Sequence, residues 1–411
     1  MKIAFISDLH LGFNGEESFA NAEQAFNLAL KEKPDLILIG GDIFHEKTPK
    51  QEIIGQAIDL FVKVNKELKK VLLLQKIDKE KKKIEEKQLI CPIIGIWGTH
   101  ERRHADALNP AQILEKAGLI YLLHAESILV EVGYEKIGIH GLSGVPEDYA
   151  KDALKAWSPI PFNGCYNILL IHQNLAELMP IESNAISFND LPDGFDYYLA
   201  GHFHWRYEDE HPKNTFPILI PGSTIITQLS QKEARSEKGF FILDLPPNKT
   251  LQSYTFKKIK TRPAHYCTIE VENKKPAEVQ NIIYETIEKI LSIQNSSENN
   301  QEIPIIKVKL KGKLSKGFTT ADLNFSQIYK DFSQKAILEI DKTDLTSEEG
   351  EEKASLLREL KDKKLSIEQF GLELIRKNLP NQISITKLEN LFNFLAEEEL
   401  EKAEQLLEND Q

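Results

Sequence analysis

The chain has 411 residues, a formal net charge of −12, 28% charged and 41% apolar residues. That apolar content builds real cores and excludes a disordered chain. No run approaches the ~18 apolar residues that span a bilayer, so no membrane partner is expected. Length sets a prior of about two to three domains. Cys91, Cys165 and Cys267 form no CxxC pair and no disulfide framework, which points to a soluble, cytoplasmic protein. A charge of −12 argues at first sight against a nucleic-acid partner. It is unevenly spread, however: residues 1–250 sum to −8, residues 251–340 to +4 and residues 341–411 to −8. Residues 61–87 hold ten lysines and five acids. The plain reading of that stretch is a Lys-rich helix with a solvated face, and the alternative is a DNA contact.

The first residues, Met1 to Asp8, run from a short apolar segment straight into polar chemistry and read as a β-strand rather than a signal peptide. Apolar runs ending in polar residues recur at 3–7, 36–40, 92–97, 168–171 and 197–200. The continuously apolar Leu36-Ile37-Leu38-Ile39 is expected of a strand covered on both faces. Between the strands lie helical patterns. Residues 18–31 place Phe19, Ala22, Ala25 and Phe26 on one side, and a second helix is expected to start at Thr48-Pro49 with Thr as its cap. This alternation predicts a layered α/β domain. Residues 262–335 read as strand, helix, polar loop and strand, a small α+β unit. Residues 343–353 read as a polar linker into a helical tail. That tail has amphipathic stretches at 366–379 and 386–407, which need a partner surface to bury their stripes.

Five short segments carry the chemistry, each at or just after a strand end: Asp8-Leu9-His10, Gly41-Asp42, Gly98-Thr99-His100-Glu101, His172-Gln173 and Gly201-His202-Phe203-His204. Residues i and i+2 of an extended chain point the same way, so Asp8 with His10, and His202 with His204, can each meet one ion. A carboxylate such as Asp42 has two oxygens and can bridge two cations. Mixed imidazole and carboxylate ligands without thiolate favour Mn, Fe, Co, Ni or Zn over an all-oxygen Mg or Ca cage. Two such ions about 3.5–4 Å apart make a clamp for phosphoester hydrolysis. Any one segment is a weak signal. Five of eleven histidines following apolar strands within 204 residues is a strong one. His104, His124, His140, His211 and His265 show no such pairing and stay unassigned.

In order, these segments resemble the calcineurin-like metallophosphoesterase superfamily, whose pattern is D-x-H, G-D, G-N-H-[DE], a lone H and G-H-x-H. The resemblance implies a four-layer α/β/β/α sandwich with a two-metal site. Gly41-Asp42-Ile43-Phe44-His45, Pro221-Gly222-Ser223 and Glu237-Lys238-Gly239-Phe240-Phe241 are similar to the SbcD/Mre-type double-strand-break repair nucleases, especially the archaeal form. That likeness implies a nuclease domain over residues 1–260, a small DNA-binding capping domain over 261–340, and a linker with C-terminal helices over 341–411 that dock on an SMC-like coiled-coil ATPase. It also implies a homodimer acting on DNA ends, nucleoid-associated in the cytoplasm, as a manganese-dependent exonuclease and endonuclease. Carried over residue by residue, Asp8, His10 and His204 hold one divalent ion, His172 and His202 the other, and Asp42 bridges. His100 serves the leaving oxygen or the transition state, and His45 positions the DNA end.

One departure stands out. Thr99 occupies the position of the family's Asn, and its hydroxyl has shorter reach and is a weaker donor to a cation. The second ion then binds through water or more weakly, or activity falls. Two other functions stay open on the residues: a phosphatase or nucleotide phosphodiesterase on the same fold, and a scaffold that has lost its chemistry. The capping domain and acidic tail speak against the first, and His45 and His100 against the second.

Overall fold

The computed structural model describes residues 1–103, 107–179, 185–247, 253–295, 302–347, 385–396 and 399–408. Two compact units divide the chain, Met1–Tyr266 and Cys267–Gln411.

The first unit is built on two sheets. One contains β1 (Lys2–Ile6), β2 (Leu36–Ile39), β5 (Ile93–Gly95), β6 (Tyr121–Leu122), β13 (Gly239–Asp244) and β14 (Ser253–Lys258), in the order β14-β13-β1-β2-β5-β6. The other contains β3 (Val71–Ile77), β4 (Lys83–Ile90), β7 (Glu126–Val132), β8 (Glu135–Leu142), β9 (Tyr166–Ile171), β10 (Tyr197–Ala200), β11 (Tyr207–Glu210) and β12 (Pro217–Ile220), in the order β11-β12-β10-β9-β8-β7-β3-β4. Helices α1 (Glu16–Lys31), α2 (Gln51–Glu67) and α3 (Pro110–Lys116) cover the first sheet, and α4 (Glu147–Trp157) covers the second.

Side-chain alternation produces the layers. Ala4, Ile6, Ile37 and Ile39 face the helices, against Phe26 and Phe61. Their neighbours Ile3, Phe5, Leu36 and Leu38 face the other sheet, against Ile139, Ile168, Leu170 and Leu199. On the far side, Leu169 and Ile171 meet Leu154 and Trp157. Every residue of β2 is buried, which is why its pattern is unbroken rather than alternating. Burying each such side chain stabilises the fold by roughly 1.5–3 kcal/mol. The expected four-layer α/β/β/α sandwich is what forms.

Within this unit, two local readings of the elements differ. Thr48 and Pro49 precede α2 rather than cap it: Lys50 is the N-cap, extended at ψ 152°, and gives no side-chain cap. Lys50 itself is extended, so the helix begins at Gln51, two residues after the proline. The lysines of 61–87 do not share one helix. Lys63 and Lys66 lie on α2, whereas Lys76, Lys83 and Lys87 lie on the hairpin β3–β4, with Lys79, Lys81 and Lys82 at its turn. Strand β4 pairs with a neighbour on one side only, leaving five lysines from 79 to 87 exposed. Charge on an edge strand discourages pairing with another chain.

In the second unit, β15 (Ala264–Lys274), β16 (Ile305–Leu314) and β17 (Ile337–Thr346) form a sheet with β16 central. Helices α6 (Pro276–Asn295) and α7 (Ser326–Phe332) bury Val279, Ile283, Ile287 and Phe332 with Ile306, Val308 and Leu310 of the sheet. Residues 343–346, expected as linker, are the end of β17, where Asp344 and Leu345 pair in parallel with Lys311 and Gly312. The polar pattern misled because Lys309 and Asp344 pair as ions (2.7 Å). The amphipathic stretch 366–379 lies outside the described residues. The stretch 386–407 is two helices, α8 (Ile385–Ala396) and α9 (Leu400–Glu408). The small helix α5 (Gln231–Arg235) belongs to the first unit.

Candidate metal centre

The loops that follow β1, β2 and β5 in one sheet, and β9 and β10 in the other, meet at one edge of the sandwich. Asp8, His10, Asp42 and His204 place ligand atoms within 4.8 Å of one another, as do Asp42, His172 and His202. Asp42 is common to both groups. His10 and His100 join His45 in a third cluster of the same kind at the mouth.

The backbone does not bring Asp8 and His10 together as an extended i, i+2 pair. Strand β1 ends at Ile6, and Asp8 (φ 54°) and His10 (φ 45°) are both left-handed. So are Asp42 (φ 46°) and His202 (φ 81°). Among the described residues, these four are over a third of the eleven non-glycine residues with positive φ. Such conformations cost of order 1–3 kcal/mol each and persist only where surrounding structure imposes them. Two glycines make the close approach possible. A Cβ on Gly98 would fall on the Asp42 carboxylate, and one on Gly41 (φ 100°) would fall on the His172 ring.

Partners settle which ring nitrogens face inward. The Nδ1 of His172 lies 2.7 Å from the Gly40 carbonyl, which can only accept, so Nδ1 carries the hydrogen and Nε2 is free for a ligand. The Nδ1 of His204 pairs with the Thr227 hydroxyl (2.7 Å), and the Nδ1 of His100 donates to the His45 carbonyl (2.6 Å). The Nε2 atoms of His10 and His204 stand 3.0 Å apart. That is about the separation of two adjacent nitrogens sharing one ion at 2.0–2.1 Å bonds. The Nε2 of His172 and Oδ2 of Asp42 are buried without a hydrogen-bond partner, 3.2 Å apart. Two buried lone-pair atoms aimed at one point fit a divalent cation once the Nε2 proton that Asp42 holds on His172 is displaced.

The chain matches the calcineurin-like phosphoesterase family over residues 1–206. It is 30% identical over 351 residues to the DNA double-strand break repair protein Mre11 of Sulfurisphaera tokodaii, covering 80% of each protein. It is 29% identical to the Saccharolobus solfataricus Mre11, covering 76% of each. It is also 29% identical to the MRE11 of Encephalitozoon cuniculi, there spanning 76% of this chain but only 57% of the longer relative. The chain is a calcineurin-like phosphoesterase of the Mre11 family.

In this Mre11-family chain the sequence-predicted residues Asp8, His10, Asp42, His45, His100, His172, His202 and His204 all stand in the one cluster. Of the unassigned histidines, His124, His140 and His211 do not. His140 is buried between Ser127 and Asn167, His211 stacks on Tyr198 at 4.5 Å, and His124 lies on Trp97 at 4.6 Å. His104 is outside the described residues.

Two supporting groups had no role on sequence grounds. Glu101 is fully buried and accepts from the backbone N–H of Phe44 (2.8 Å) and of Gly98 (2.7 Å). It thereby ties the Asp42 loop to the His100 loop. Its position in the Gly98-Thr99-His100-Glu101 run was the only signal. Lys238 is buried, and its ammonium donates to the His204 carbonyl (2.7 Å), the Ser223 hydroxyl (2.7 Å) and Glu233 (2.6 Å).

Burial pushes the Asp8 carboxyl up to about 7, with the Asp42 charge adding to it and His172 opposing. Burial and the Asp42 charge push Glu101 up to about 8. Burial lowers His202 to about 4 and His204 to about 3, so both are neutral at pH 7. His172 is the exception. Burial would lower it, but the Asp42 carboxylate outweighs that and pushes it up to about 9. The same contact holds Asp42 well below the ordinary carboxylate range, against the opposing effect of its burial.

A cation entering this site at pH 7 must therefore displace the proton of His172 and part of that on Asp8. Manganese affinity should rise with pH from 6 to 9, by up to about tenfold per unit for each proton displaced. Titration calorimetry in buffers of different ionisation enthalpy will show proton release. A flat profile would count against these ligands. Lys238→Met should destabilise the chain by about 3–5 kcal/mol, because it leaves Glu233 charged and buried without its partner. Urea denaturation measures it, and a change under about 1 kcal/mol would contradict the buried pairing.

Proposed function

We propose that this chain is the nuclease subunit of a double-strand-break repair complex and hydrolyses phosphodiester bonds at DNA ends with two divalent ions. The observation that carries the reading is the convergence of two imidazole–carboxylate groups on the shared Asp42, in a chain whose archaeal relatives are named double-strand break repair proteins. The donor set favours manganese over magnesium or calcium.

Asp8, His10 and His204 would hold one ion, His172 and His202 the other, and Asp42 both. Bound there, the ions supply positive charge and Lewis acidity to the phosphate and the attacking water. The groups are unequal, four side chains against three. With Thr99 in place of the family's Asn, the His172 group is the weaker. The His100 ring is fixed through its Nδ1–H, which leaves Nε2 facing the site, where it would take up a proton and, as the imidazolium, pass it to the leaving oxygen. His45 packs on Phe13 at 4.7 Å and on His100 at 5.0 Å, at the entrance, where a DNA end must be placed.

The second unit we read as the capping, DNA-binding domain, and the C-terminal helices as the docking element for an SMC-like coiled-coil ATPase, with a homodimer as the working form at the nucleoid. Leu395 and Leu400 on α8 and α9 are 51% and 63% exposed, apolar surface that suits a protein partner.

Linear duplex DNA with manganese tests the chemistry. Asp42→Asn should lower cleavage about 100-fold or more while the chain stays folded. Equal cleavage by both forms would overturn the enzyme reading. Cleavage of a phosphomonoester with none of DNA would favour the phosphatase. Deleting residues 348–411, which spares β17, should leave nuclease activity and abolish co-purification with the ATPase. Retained co-purification would place the docking element elsewhere.

A further inference from the structure

A cavity of about 440 Å³ opens beside the ligand cluster, lined by Asp42, His100, His202 and His204 together with Phe203 and Trp205. Its volume lies within the ~300–1,000 Å³ of small-molecule sites, room for one nucleotide unit beyond the phosphate. The metal ligands account for part of it. They give no reason for an indole in the same lining.

Trp205 is one residue past His204, so its position is tied to the ligand loop. It is half-buried, and its ring is held from two directions. The Phe203 ring meets it at 5.1 Å and 62°, and the Lys232 ammonium stands 4.8 Å from its centroid. The ring packs against the buried cluster that holds Leu175, Leu178 and Phe188. It leaves part of its surface in the cavity.

An aromatic plane fixed next to a phosphate site, with the Lys232 cation over one face and the other face left for a base, has the chemistry of a base-stacking platform. Stacking is indifferent to base identity, since every base has a π-face. A nuclease acting on ends of any sequence needs grip without readout. We propose that Trp205 stacks the nucleobase of the nucleotide next to the scissile phosphate, making the cavity a nucleobase subsite. This rests on the nuclease reading above.

The test compares two linear DNAs, identical except that the nucleotide beside the cleaved bond carries a base in one and is abasic in the other. With manganese and the full-length wild-type chain, the abasic substrate should show KM raised at least about fivefold, with kcat within about twofold. Trp205→Leu should lose this discrimination by raising KM for the base-bearing DNA alone, and Trp205→Phe should keep part of it. Equal KM for the two DNAs in the wild-type chain, with cleavage of both, overturns the subsite and leaves the nuclease reading standing. Cleavage of neither overturns both. Because the wild-type comparison decides the matter, a Trp205→Leu chain that fails to fold does not rescue the proposal.

Discussion

The site is organised around the Asp42 carboxylate. It belongs to both ligand groups and accepts the backbone N–H of His100 (2.9 Å). Its charge keeps His172 protonated in the absence of an ion and helps raise both Asp8 and Glu101. Placing it requires a left-handed backbone at Asp42 and glycines at 41 and 98, because no side chain fits there. A buried anion surrounded by two other carboxyls is costly, and imidazolium or metal charge is what makes it tolerable. The ligand geometry and the electrostatics are therefore one constraint.

Much of this was legible in the sequence, for a physical reason. Strands buried on both faces read as unbroken apolar runs, so the first polar residue after each run marks a strand end, and those ends are where ligands gather. Asp8, Asp42, His172 and His202 all follow such runs. Asp8 and His10 stand close together as two left-handed residues, which spacing alone does not distinguish from an extended pair. Glu101 and Lys238 went unassigned because their value lies in backbone atoms far away in the chain: Phe44 for the one, and the His204 carbonyl for the other.

The misread segments share a cause. Residues 83–90 and 343–346 lie in strands whose solvent-facing positions are filled with polar and charged side chains, so local polarity outweighs strand pattern. What makes them strands is pairing, β4 with β3 and β17 with β16, rather than an apolar pattern of their own. The charge partition gains a structural form from the same elements. In β16 the alternate residues Lys307, Lys309, Lys311 and Lys313 oppose the buried Ile306, Val308 and Leu310, and Glu339 and Asp344 neutralise two of them. Net positive charge in a segment is thus not the same as free positive charge on a surface.

The bonds around the ligands also cross between the sheets. His172, at the end of β9, is anchored to Gly40 after β2, and the backbone N–H of His202, after β10, donates to the Asp8 carboxylate after β1 (3.1 Å). The interior between the sheets, where Leu38 meets Ile168 and Leu170, therefore acts as a bearing surface for the site. Sliding one sheet over the other by a fraction of an ångström moves the two halves of the ligand set apart by the same amount. A change of volume deep in that interior is transmitted as misalignment at the edge, so an alteration that touches no ligand can still detune the chemistry.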